Sequence, residues 1–340
     1  MTNTPSRKDR AQGAIIGSLI GDALGLGCHW YYDVKAMRRD FGDWFEDYHD
    51  GKPDRDDQYG YIAKWRYEYG LRAGDLSQTG QIAVLLLESF AEHSGYNEND
   101  FCARLDELFS NLDGTDLSGR YTDRAVRDTL AHRKAGVAWG MAGSTIDTAE
   151  AAIWNVVHAA HSNGDMRALA IDTHASAKLT HGNDYITGCS TAFVLAVAAL
   201  IDAVSLDDIE SYMFGLRDDP DIRSRTSSND ITFQIGNAAA RMGADADLDI
   251  DPIVACRLMG MNCTMAFLVP AAYFLIHRYP NNFEQAVLTA VNAGGNNIAR
   301  GALTGALAGA MVGLQGIPTR FIDGLEDSQR ILELCDKVTG

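Results

Sequence analysis

A chain of 340 residues that is 46% hydrophobic has ample material for a core, and its net charge of −17 leaves too little lysine and arginine for a phosphate-binding face. That balance excludes nucleic acid as a natural partner, argues against an anionic membrane surface, and reads most simply as a solvated acidic exterior. Six cysteines, at 28, 102, 189, 256, 263 and 335, form no CxxC spacing. Zinc and redox motifs are therefore not expected, and Cys189 and Cys263 read as small buried hydrophobes.

The chain opens MTNTPSRKDRAQ, without the apolar core of a signal peptide. Its first predicted element is a helix over 9–26. There Gly13, Gly17, Gly21 and Gly25 recur every four residues and form one bare stripe. Residues 30–72 break the helical pattern: they are rich in Asp, Tyr, Trp and Gly and predict a long loop or lid with one short helix at 33–40. Apolar helical patterns follow at 81–93, 99–111, 121–134, 147–160, 167–178, 184–203, 206–216, 228–241, 251–259, 262–278 and 282–292. The last, 297–314, repeats the stripe with Gly301, Gly305, Gly309 and Gly313. Glycine inside a helix costs about 1 kcal/mol against alanine, so two such stripes imply two helices in close backbone contact. The apolar runs are interrupted below membrane-spanning length. The expectation is an all-α, single-domain, cytoplasmic protein over 1–340, with the two ends of the chain meeting in its core.

Polar residues gather at the predicted helix starts. Asp22 is followed by His29 and Trp30, and Asp75 by Ser77, Gln78 and Thr79. Asn163 and Gly164 lie in the loop HSNGDMR, His181 stands before Asn183 and Asp184, and Gly294-Gly295-Asn296-Asn297 opens the last glycine-striped helix. Each has a plain reading as a cap or turn residue, and His181 alone reads as a structural histidine. Several helix N-termini facing one cleft would, however, suit a diphosphate or another anion.

Several segments resemble the ADP-ribosylglycohydrolase family: RAQGAIIGSLIGDALG, SQTGQIAVLLLESFAE, HSNGDMRALA, KLTHGND and AVNAGGNNIARGALTGALAGAMVG, closed by GIP. They run in the family's order across nearly the whole chain. The resemblance implies a compact all-α domain with a central cleft in which active members hold two Mg²⁺ ions and cleave a glycosidic bond of ADP-ribose. Its metal-binding motifs fall on Ser77-Gln78-Thr79-Gly80 and on Gly294 to Ala299, so the four motif aspartates are Gln78, Thr79, Asn296 and Ile298 here. Mg²⁺ favours hard anionic oxygen, which this set lacks. The expectation is no binuclear centre, with a single Mg²⁺ on Asp22, Asp75 and Asn296 as the alternative.

Two functions stay open on these residues. In one, the chain hydrolyses an ADP-ribosyl or related glycosidic small molecule. Asp75, Asp22 and His29 are then the catalytic candidates. Ser77, Gln78, Thr79, Asn163, Gly164, His181, Gly294, Gly295, Asn296, Asn297 and Trp30 bind the nucleotide-like or sugar ligand. In the other, the same cleft binds a ligand without chemistry. Convergence of Asp22, Asp75, His29 and Asn296 on one pocket favours the first, and caps on their own helices favour the second.

Overall fold

The computed structural model describes residues 4–226 and 231–340, with the backbone alone for 231–237. Its centre is the pair of glycine-striped helices, Arg7–Leu26 and Asn297–Val312. They run antiparallel with stripe on stripe. A Cβ on Gly13 would lie 2.3 Å from the Gly309 carbonyl oxygen, one on Gly17 2.3 Å from that of Gly305, and one on Gly21 2.1 Å from that of Gly301. The pairing ends at Gly25, where a Cβ would lie 2.5 Å from the Ile298 backbone. The helix starts are local: Ser6 accepts from the Asp9 N–H, and Asn296 from the Ala299 N–H. At the far end, Gly313 takes φ +73, a backbone region that favours glycine.

Other helices wrap this pair. Met265–Arg278 and Phe283–Asn292 pack on the C-terminal member, and Asp184–Ile201 crosses both. Asp184–Ile201 is long and apolar enough to cross a membrane, yet 89% of it is buried inside the molecule, so it is a core helix. One buried apolar cluster runs from Ala11 to Val338, which makes the chain a single helical domain. Extended pairing among the described residues is limited to isolated bridges such as Tyr31 with Gly295 and Ser144 with His181.

Several boundaries differ from the sequence reading. The 147–160 pattern is two short helices, Glu150–Trp154 and Val156–His161, broken where the Asn155 side chain donates to the Ala151 carbonyl at 2.8 Å. Residues 228–230 lie outside the described residues, and a helix covers Ile231–Ala244. Cys263 is half-buried rather than buried.

The largest difference is in 30–72. It is a pinned cover with two helices, Val34–Phe41 and Gly60–Tyr69, and not an open loop. Asn292 grips Phe45 through both backbone groups, and Tyr48 donates to the Phe321 carbonyl at 2.7 Å. Arg55 donates to the His29 and Trp30 carbonyls at 2.7 and 2.6 Å, while its guanidinium sits 3.6 Å above the Tyr31 ring. Gly27 lets the segment cross the first helix, because a Cβ there would sit 2.0 Å from the His49 carbonyl oxygen.

Candidate functional site

A narrow cleft opens where the Gln78–His93 and Asn297–Val312 helices begin. Ser77, Gln78, Thr79, Asn296, Ile298 and Ala299 form its floor. His29 lines it just before the cover, the cover contributes Trp30 and Arg66, and Tyr121, Asp123 and Glu150 complete the wall. The aromatic wall is built of rings in mutual contact. Trp30 lies 4.6 Å from His29, 5.3 Å from Tyr59 and 5.5 Å edge-on from Tyr121. Trp30 and Tyr121 hold φ at +60 and +77, rare for bulky side chains. Such strain persists where the surroundings over-determine it, commonly at functional sites.

Asp22 stands just behind the floor. It is fully buried and accepts the Ser77 N–H at 2.7 Å and the Ser77 hydroxyl at 2.6 Å. Burial pushes its carboxyl up to about 6, against the pull of the Ser77 hydrogen bonds. Ser77 in turn caps the Gln78–His93 helix at the Thr79 N–H. Asp22 therefore positions the floor and does not itself line the cleft. Asp75 also lies outside the cleft lining: its carboxylate accepts the Arg72 N–H at 2.8 Å and closes a surface turn. Of the four residues expected to converge, His29 and Asn296 reach the cleft and Asp22 and Asp75 do not.

His29 stays neutral, because burial and then the nearby Arg66 charge hold it well below the ordinary imidazole range. Its Nδ1 lies 3.2 Å from the Asn297 side-chain oxygen. Asn297 is consumed by this scaffold, donating also to the Cys28 carbonyl and sulfur at 3.0 and 2.8 Å. Buried Cys28 is pushed up to about 12, so it is no nucleophile at neutral pH.

The glycine-rich turn does not cradle a ligand with its backbone. The Gly294 N–H bonds to Val291, Gly295 to Tyr31, Asn296 to Met261 and Asn297 to Gly295. Gly294 and Gly295 are needed for their positive φ and for the close approach of Tyr31 and Met261. Fully buried Arg300 ties the turn from beneath through the Ala290 and Gly294 carbonyls. Asn163 and Gly164 are exposed, and Asn163 borders a separate recess with Phe90, Tyr96 and His158, so HSNGDMR does not build this cleft. His181 is buried behind the wall, 3.2 Å from the Thr148 hydroxyl and 3.6 Å from the Glu150 carboxylate.

The residues that sequence reasoning missed are Asp123, Glu150, Arg66 and Tyr121. Asp123 caps the Arg124–Lys134 helix through the Val126 N–H, and Glu150 opens the Glu150–Trp154 helix. Asp123 Oδ2 and Glu150 Oε2 are buried without a hydrogen-bond donor, as is the side-chain oxygen of Gln78. Burial, then the charge of Glu150, raises the Asp123 carboxyl above its ordinary range. The two carboxylates thus share a site in which one is driven toward its protonated form.

A pair of Mg²⁺ ions at the motif positions does not fit this donor set. Gln78, Thr79 and Ile298 bring no charge, and the Asn296 oxygen is engaged by the Ala299 N–H. Nor does one ion on Asp22, Asp75 and Asn296, because both Asp22 oxygens already accept from Ser77 and Asp75 faces the Arg72 turn.

The chain belongs to the ADP-ribosylglycohydrolase family, whose model matches residues 3–340. It is 24% identical over 332 residues to an uncharacterized protein of Archaeoglobus fulgidus, covering 97% of this chain and 96% of that one. It also superposes on a solved structure titled "ADP-ribosylglycohydrolase-related protein complex" with a TM-score of 0.64, at 19% identity and 98% coverage of both chains. At that identity the likeness bears on the fold.

Proposed function

We propose that this member of the family is a hydrolase that opens an ADP-ribosyl or related glycosidic bond of a small molecule without the two-Mg²⁺ centre. The observation that carries the reading is the pair Asp123 and Glu150, facing one cleft with an unbonded oxygen each. Glycoside hydrolysis needs two carboxyl groups in opposite protonation states. Asp123, with its raised carboxyl, holds the proton that the leaving oxygen or nitrogen requires. Glu150, beside His181, is the carboxylate that takes a proton from water. Trp30 stacks on the ligand, and Gln78, Thr79 and Asn296 bind its hydroxyls from the floor, while the Ser77 hydroxyl is taken up by Asp22 and the Thr79 N–H. Asp22 holds Ser77 in place, and neutral His29 orients the ligand as a hydrogen-bond partner. The cytoplasm is the compartment that suits six unpaired thiols.

The test is turnover of a panel of ADP-ribosyl glycosides in Mg²⁺ and in EDTA. Cleavage should persist in EDTA, and Asp123→Asn and Glu150→Gln should each lower kcat by about 100-fold or more. Cleavage that requires Mg²⁺ refutes the reading. The rival, a binding protein without chemistry, is favoured by the structural engagement of Asp22 and Asp75. It wins if ligands bind and none turns over.

A further inference from the structure

The segment HSNGDMR takes no part in the cleft and borders a recess of its own. Simple spacing builds that recess. His158 and His161, three residues apart, share one face of the helix Val156–His161. Asp165 caps the next helix, Met166–Lys178, and Asp172, seven residues on, lies on the same side of it. Phe90 and Tyr96 close the recess from the other direction.

Three of these side chains form an aromatic box. Phe90 lies 4.9 Å edge-on from His158, and Tyr96 lies 4.7 Å from the same imidazole. His158 is 3% exposed, and its Nε2 is buried without a hydrogen-bond partner. Burial, then the nearby His161 charge, pushes it down to about 3, so the ring is neutral and offers a lone pair. Buried polar atoms of native proteins are nearly all bonded, so an orphan lining a recess points to a ligand. His161 adds a second acceptor. It donates from Nδ1 to the Val338 carbonyl at 3.0 Å, which leaves Nε2 of the neutral ring bare. That nitrogen borders the recess at Gly95, where a Cβ would lie 3.7 Å from it.

The charge around the box has one sign. No lysine or arginine lines the recess. Burial, then the charge of Asp165, raises the Asp172 carboxyl, which has no ion pair among the described residues. Arg167, the neighbouring cation, is held by Asp221. The Tyr96 hydroxyl is kept protonated by burial and then by the charge of Glu98, with Asp172 acting in the same sense.

We infer that this recess is a second ligand site, apart from the cleft, and that it takes a small primary alkylammonium ion. The ammonium head donates to the Asp172 carboxylate and to the bare imidazole nitrogens. The faces of Phe90 and Tyr96 flank the cation and its methylenes. A primary head is specified because these acceptors need N–H donors, and a quaternary head brings charge alone. The inference does not depend on the cleft being a hydrolase site.

Calorimetric titration of the whole chain at pH 7 with butylamine, butyltrimethylammonium and butanol tests it. Butylamine should bind saturably, one per chain, and about tenfold or more tighter than either analogue. Asp172→Asn should weaken butylamine by about tenfold. That substitution removes one unit from a net charge of −17, so diffuse attraction to the acidic exterior would hardly change. His158→Phe keeps the aromatic box, removes the orphan nitrogen, and should weaken butylamine by roughly fivefold. Should His158→Phe fail to fold, the half-buried Asp172→Asn decides alone. No saturable binding, or binding that a folded Asp172→Asn leaves unchanged, overturns the site. Butyltrimethylammonium binding as tightly as butylamine overturns the primary ammonium as its ligand.

Discussion

Gly21→Ala puts a methyl group into one of the tight backbone contacts between the two central helices. The new Cβ would lie 2.1 and 2.2 Å from the Gly301 carbonyl oxygen and carbon and 2.6 Å from the Ala302 nitrogen. All three are backbone atoms, so no side chain can rotate aside. Carbon contacts are comfortable near 3.5 Å, so the helices must part by roughly 1.3 Å. Overpacking of this kind costs about 3 kcal/mol at the upper end of its usual range. Alanine returns about 1 kcal/mol of helix propensity, leaving about 2 kcal/mol of destabilisation. Unfolding entropy for 340 residues is about 0.7 kcal/mol per kelvin, so Tm should fall by about 3 °C. The control is Gly215→Ala, an exposed helical glycine whose Cβ would meet nothing within 4 Å. It should gain up to about 1 kcal/mol. Scanning calorimetry and urea melts of both variants decide the matter. A Gly21→Ala protein as stable as wild type, or more so, would refute the close-packing argument.

Two further substitutions probe the scaffold under the cleft. Asp22 has its carboxyl raised to about 6 in the folded state, so between pH 4 and 6 the native state holds a proton that the unfolded chain has lost. Its contribution to stability is present at pH 4 and is lost as pH rises through 6, a difference of about 3 kcal/mol. Asp22→Asn should therefore gain on wild type by up to that amount from pH 4 to 7 in parallel urea melts, and a constant gap would contradict the assignment. Asn297→Ala removes donors to the Cys28 carbonyl and the Val291 carbonyl and the partner of His29. It should cost about 3 kcal/mol at roughly 1 kcal/mol per lost bond, and a loss under 1 kcal/mol in denaturant melts would show that Asn297 is not the scaffold's tie.

Much of the architecture was legible because its causes are local. The four-residue glycine spacing announced the helix pair, and Ser77, Asn183 and Asn296 announced three helix starts by side-chain chemistry alone. The cleft floor followed from those starts. The walls did not. Asp123 and Glu150 look in sequence like ordinary first-turn acids, and their lack of donors is a property of three dimensions. Arg66 was hidden because GYIAKWRYEY has bulky residues on every side and no side-chain N-cap, so its helix is held by tertiary contacts. Asp75 and Asn163 misled for the opposite reason. Both sit in the right kind of turn, but a turn's chemistry does not say which way it faces.

The antiparallel stripe also sets the order in which the molecule can be made. The first helix has its main partner near the other end of the chain, and Arg10 donates to the Ala310 carbonyl 300 residues on. During synthesis the glycine face must wait, apolar and unpaired, until nearly everything else has left the ribosome. Closing a loop of that length costs about 5 kcal/mol of chain entropy before any contact repays it. High sequence separation of this kind slows folding, so a late, cooperative closing step should dominate the kinetics. Chains shortened before residue 297 would lack the partner and leave the stripe exposed to other chains.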